Sequence, residues 1–108
     1  MSLKFLGRGG SGVGECPSLF VGESHYVVQG WVTEDPGTVE IPHLLLGFAE
    51  ADTFLGARMT DTGRGTFTLS GRPVVEPEVL AQLELAEGEA VVEVPKLVRS
   101  FYGVAAAR

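Results

Sequence analysis

Ser18-Leu19-Phe20-Val21-Gly22-Glu23-Ser24-His25-Tyr26-Val27-Val28-Gln29-Gly30-Trp31 carries the strongest β signal near the start of the chain. Two runs rich in β-branched and aromatic residues flank Gly22-Glu23-Ser24-His25. That pattern predicts a strand over 18–21, a turn over 22–25 and a strand over 26–32, joined as a hairpin. Thr33-Glu34-Asp35-Pro36-Gly37 is a turn, because Pro and Gly together interrupt both helix and strand. Thr38 to Ile41 is a short strand. Pro42 suits the first position of a helix, where its missing N–H costs nothing. Leu44, Leu45, Phe48 and Ala51 follow at helical spacing, with Leu55 one turn further on.

Residues 57–72 predict a second hairpin, turning at Thr60-Asp61-Thr62-Gly63-Arg64-Gly65. Thr66-Phe67-Thr68-Leu69-Ser70-Gly71 then alternates polar and apolar, as a half-buried strand should. Glu76-Pro77 opens a short helix over 77–83, with Val79, Leu80 and Leu83 facing inward. Ala90-Val91-Val92-Glu93-Val94 reads as a strand. Pro95 again precedes a predicted helix, with Leu97, Val98, Phe101, Tyr102 and Ala105 as its apolar positions. Residues 7–14, G-R-G-G-S-G-V-G, are a flexible linker by composition. They set the short apolar piece Leu3-Lys4-Phe5-Leu6, at most an added edge strand, apart from the body. The organisation expected is a flexible N-terminal segment, 1–14, and a single α+β domain, 15–108. That domain is a small, mostly antiparallel sheet with short Pro-started helices.

Two segments match each other. Residues 39–48 (V-E-I-P-H-L-L-L-G-F) and 92–101 (V-E-V-P-K-L-V-R-S-F) agree at five of ten positions. A strand ending in Gly precedes each: Tyr26-Val27-Val28-Gln29-Gly30 and Phe67-Thr68-Leu69-Ser70-Gly71. The expectation is a pseudo-duplicated hairpin–strand–helix unit with halves at about 15–56 and 57–105. Two such halves packed together cover faces that one alone leaves exposed.

The chain has 108 residues, 44 % of them hydrophobic and 20 % charged, which suffices for one core without disulfides. Its net charge is −6 and its eight Lys and Arg are scattered, whereas a nucleic-acid binder needs a basic face. Residues 73–95 hold six Glu and no Lys or Arg, so nucleic acid is not expected as a partner. No run approaches the roughly 18 apolar residues of a membrane span. The single cysteine, Cys16, has no cysteine or histidine company for a metal site, and it suits a reducing cytoplasm. With no charged-then-apolar leader pattern at the start, a cytoplasmic location is expected.

Tyr26-Val27-Val28-Gln29-Gly30-Trp31, Pro77-Glu78-Val79-Leu80-Ala81-Gln82-Leu83 and Glu89-Ala90-Val91-Val92-Glu93-Val94-Pro95-Lys96 resemble a pattern in short uncharacterised proteins of streptomycetes and other actinobacteria. Lys4-Phe5-Leu6-Gly7 and Cys16-Pro17-Ser18-Leu19-Phe20 belong to the same likeness. Those proteins carry Y-V-V-Q-G-W, a D-P-x-x-L helix and an E-x-V-V-x-[IV]-P-K ending once each. The likeness covers about 4–36 and 66–102, and 37–65 looks like the inserted half of a duplication. It implies a cytoplasmic actinobacterial protein encoded near small regulatory genes. It brings no activity, ligand or catalytic residue with it.

Catalytic chemistry is poorly supplied. The glycine-rich run 7–14 lacks the Gly-Lys-Ser/Thr of a phosphate loop. His25 lies in a turn beside Glu23 and Ser24, and His43 follows a helix-starting Pro. Neither has the base-and-nucleophile company that catalysis needs. Glu15 beside Cys16 disfavours a reactive thiolate. Trp31 reads first as a core cap and second as a binding anchor. Glu84 and Glu87 belong to an acidic run that is a solvated face or a docking surface for a basic partner. The expectation is a non-enzymatic cytoplasmic interaction module of a regulatory kind, with no cofactor and no metal. Its partner is a protein, either a small regulator or a second copy of the chain. The alternative is a small-molecule-binding protein or enzyme with a pocket between the two halves. The candidate binding residues are Gln29, Trp31, Arg58, Arg72, Glu84 and Glu87.

Overall fold

Strand β3 (His25–Val32) organises the molecule because both its edges are paired. One edge meets β2 (Ser18–Val21) and then β4 (Thr38–Pro42), and the other meets β9 (Glu89–Val98) from His25 to Trp31. The computed structural model describes residues 2–9, 17–101 and 104–105, with 101, 104 and 105 as backbone alone. Its remaining elements are β1 (Lys4–Arg8), a 3-10 helix (His43–Phe48), β5 (Thr53–Leu55), β6 (Met59–Asp61), β7 (Thr66–Ser70), β8 (Arg72–Pro73), α1 (Pro77–Leu80), β10 (Ser100–Phe101) and β11 (Val104–Ala105). All the pairings are antiparallel. The chain is a small antiparallel sheet-rich domain with few and short helices. No helix among the described residues is long and apolar enough to cross a membrane.

Strand alternation divides the core in two. Tyr26 and Val28 point to one side, with Leu19, Val39, Ile41, Leu69, Val92 and Val94. Val27 points to the other, with Phe20, Val74, Val79 and Val91. Leu3, Leu80 and Leu83 pack on that second cluster, so the region around α1 covers the outer face there. Burial on both faces explains the unbroken apolar run at 26–28. Each fully buried side chain of this size stabilises by about 1.5–3 kcal/mol.

The pairings also close a ring. β4 pairs with β7, β7 continues through Gly71 into β8, β8 pairs with β9, and β9 returns to β3. Two glycines permit the close crossings. A Cβ on Gly30 would stand 2.7 Å from the Glu40 carbonyl oxygen, and one on Gly71 would stand 2.7 Å from that of Glu93.

Beyond β8 the wall splits. The Lys96 N–H donates to Ser24 on the β3 side, while the Pro95 carbonyl accepts from Gly56 on the opposite side. β5 therefore lies on the β9 edge that also carries β8, pairing with residues 96–98. β6 lies on the edge of β7 turned away from β4. β5 and β6 face each other without pairing among the described residues, and a seam lies between them.

The expectations for Pro95, Pro42 and Phe48 are corrected. No helix follows Pro95, because β9 runs on to Val98 with β5 as its partner. The Pro95 nitrogen faces the gap between β8 and β5, where a missing N–H breaks no ladder bond. After Pro42 the turn is a 3-10 helix that ends at Phe48, and Leu55 belongs to β5. The Ala49 N–H reaches back only to Leu46, and Asp52 adopts φ 62°, so an α-helix does not propagate. Phe48, which helical spacing would put on an inward stripe, is 38 % exposed at the end of the 3-10 helix and lies over Gly7. In the N-terminal segment residues 4–8 form β1 on β2, the added edge strand that the sequence allowed, and the Gly9 N–H donates to the Pro17 carbonyl at 3.0 Å. Residues 10–14 of that segment lie outside the described residues.

Among the described residues a helical turn follows β4 and none follows β9, so two copies of one hairpin–strand–helix unit are not shown. Both predicted hairpins and the Pro77 helix are present.

Candidate functional site

Cross-strand register builds one row of outward side chains over five strands. Glu89 on β9 is opposite Trp31, Trp31 is opposite Glu40 on β4, Glu40 is opposite Thr68 on β7, and Thr68 is opposite Thr60 on β6. Trp31 is thus held between two carboxylate-bearing neighbours. It is half-buried and joins neither apolar cluster, although its parity on β3 is that of Val27 and Gln29.

The surroundings of Trp31 are fixed by hydrogen bonds. Gln29 is buried, and its amide donates to Glu89 Oε1 at 2.7 Å and to the Glu84 carbonyl at 2.8 Å. Glu89 Oε1 also accepts the Ala86 N–H at 3.1 Å. The Val32 N–H donates to Gly88. These bonds pin residues 84–89 beside the end of β3. On the other flank Glu40 accepts both Arg64 Nη2 and Thr66 Oγ1, at 3.0 Å and 2.6 Å. Glu84 and Glu87 are exposed and form no ion pair among the described residues.

The structure therefore brings Gln29, Trp31, Glu84 and Glu87 to one region. Arg72 lies on the outer face two rows further along, where Val27, Glu93 and Arg72 are in register. Its guanidinium binds Glu93 at 2.8 Å and Glu76 at 3.1 Å. The hydrogen bond from Arg72 is the main cause that holds the Glu76 carboxyl below its usual 4.5, and Glu76 and then Glu93 raise the Arg72 pKa. Arg58 lies apart, on the exposed link between β5 and β6. A cleft lined jointly by Gln29, Trp31, Arg58 and Arg72 is not formed.

Two hollows lie outside the region around Trp31. Ser24 Oγ lies 3.0 Å from His25 Nδ1 in a hollow of about 480 Å³ that Ser2 and Glu23 also line. No carboxylate orients His25 Nε2 among the described residues, so the pair lacks the third member that aligns a catalytic base. The second is the seam, where Leu46, Ala49, Thr53, Phe54, Leu55, Met59 and Arg99 line a groove of about 270 Å³. The seam is assembled from distant parts of the chain, whereas Ser24 and His25 are neighbours in sequence. His43 stacks on Phe67 and meets Asp61 at 3.3 Å, a contact that clips the 3-10 helix to the second hairpin. Among the described residues no group of three His, Cys, Asp or Glu side chains gathers as a metal site, and Cys16 lies outside them. No protein-family model, curated protein or solved structure matches the chain.

Proposed function

We propose that the chain is a non-enzymatic protein-interaction module that docks a basic segment of a partner on the face around Trp31. One observation carries the reading: Trp31 stands on the outer face between Glu89 and Glu40, outside both apolar clusters. A lysine or arginine laid over an indole gains about 0.5–2 kcal/mol, most when water is excluded. Arg64 already engages Glu40 and Gln29 engages Glu89, so the field left for a partner comes from Glu84 and Glu87. Such exposed charges steer encounter and select partners by sign. The cytoplasmic setting, the regulatory role and the actinobacterial likeness belong to the same proposal, and the duplicated ancestry of the two V-E-x-P segments is part of it.

The test is affinity capture with two baits, the wild-type chain and Trp31→Ala. A protein retained by the first and lost by the second, with both baits equally folded, supports the reading. Identical capture by both removes Trp31 from the interface.

A further inference from the structure

The seam between β5 and β6 has the chemistry of a ligand site, independently of the Trp31 face. Its wall is apolar: Leu46 and Ala49 come from the 3-10 helix and its end, Leu55 from β5 and Met59 from β6. Phe54 stands at its rim, 39 % exposed. The polar atoms behind it satisfy one another. Thr53 Oγ1 donates to the Glu50 carbonyl at 2.9 Å, so the buried Tyr26 hydroxyl donates to Thr53 Oγ1 at 2.6 Å and accepts the Glu50 N–H at 2.8 Å. That floor asks for no hydrogen bond from a ligand.

Among the described residues Arg99 is the one cationic side chain lining this groove. Its backbone N–H donates to Asp52 at 2.8 Å, which holds it beside the start of β5. Its Nη2 has only a long contact, 3.3 Å, to the Thr53 carbonyl. Arg64, Arg72 and Lys96 each have a carboxylate, whereas Arg99 makes no ion pair among the described residues. Exposed Asp52 next to it disfavours a second negative charge on a ligand.

We propose that the seam binds a small amphipathic monocarboxylate, its tail between Leu55 and Met59 and its carboxylate on the Arg99 guanidinium. An eight-carbon acid combines such an apolar tail with a single carboxylate and serves as the probe. Guanidinium and carboxylate pair in a fork geometry that a neutral head group cannot reproduce.

The experiment is titration of ¹⁵N-labelled full chain with octanoate, below its micelle concentration, followed by amide chemical shifts. The expected result is saturable shifts at Ala49, Thr53, Leu55 and Met59. Arg99→Gln should weaken binding at least about tenfold, the loss of one charge-assisted hydrogen bond. Octylammonium should leave these amides unmoved. Met59→Trp, which fills the groove from the opposite wall, should abolish the response even if Arg99→Gln disturbs folding. Absence of saturable shifts overturns the proposal, as do equal affinity in Arg99→Gln and equal binding of octylammonium.

Discussion

The Gln29 carboxamide on β3 donates to the Glu89 carboxylate on β9 at 2.7 Å, across 60 residues of sequence. The same amide takes the Glu84 carbonyl, so one buried side chain ties the loop before β9 to the central strand. Glu89 Oε2 is buried with no hydrogen-bond partner among the described residues, so Oε1 carries the bonding of that carboxylate. Gln29→Leu should cost about 1–3 kcal/mol, because it strips a donor from a buried acceptor. Chemical denaturation measures the loss. Gln29→Leu combined with Glu89→Leu should cost less than the sum of the two single changes, since both polar partners leave together. A fully additive pair would show that the bond does not hold the loop.

Close backbone crossings make a second prediction. A Cβ at Gly30 would lie 2.7 Å from Glu40 O and 2.8 Å from Ile41 Cγ2, and one at Gly71 would lie 2.7 Å from Glu93 O. Gly30→Ala and Gly71→Ala should each destabilise by about 1–3 kcal/mol through overpacking. Gly47→Ala meets nothing within 4 Å and should be neutral or stabilising, by about 0.4–1 kcal/mol. Thermal midpoints of the three variants separate the cases.

The N-terminal strand supports a third. Phe5 meets Phe20 edge-on at 5.6 Å, Leu6 packs on the inner cluster, and the Leu3 N–H donates to Gln82 Oε1 at 2.9 Å. Removing residues 1–8 should cost at least about 2 kcal/mol of apolar burial. For a domain near 100 residues that lowers the thermal midpoint by roughly 8 °C or more. An unchanged midpoint would mean that β1 adds nothing to the core.

The outer-face ion pair gives a pH dependence. Arg72 holds the Glu76 pKa below its usual 4.5, so the folded state keeps this carboxyl ionised where the unfolded chain begins to bind a proton. The resulting stability is present above the unfolded value and disappears as pH falls through the lower, folded one. Arg72 and Glu76 are exposed, so the effect is small and screened by salt. Wild type should exceed Arg72→Gln in stability at neutral pH, and the gap should close below the carboxylate range. A gap that persists in acid would assign the role of Arg72 to packing.

Local signals are what the sequence makes legible. The hairpin at 18–32 is readable because turn residues and β-formers coincide there, and the hairpin around Gly63 and the Pro77 helix are readable for the same reason. Pro42 and Pro95 are not, because a proline marks a helix start and a broken ladder position equally well. Only β5, arriving from 43 residues upstream, decides that residues 96–98 extend as strand. The candidate site divides along the same line. Trp31 is conspicuous as the lone tryptophan, but its flanking by Glu40 and Glu89 depends on register. Arg99 meets Thr53 across 46 residues, and nothing near either one announces the seam.

The central claim concerns the face around Trp31, and the chain contains no other tryptophan, so its emission reports that face alone. The decisive measurement is the Trp31 emission spectrum during titration with the protein that wild-type bait captures, at low and at physiological salt. A saturable change is expected, a blue shift as water is excluded, with weaker binding at the higher salt and in Glu84→Lys/Glu87→Lys. A partner that binds by calorimetry while Trp31 emission stays unchanged would contradict it.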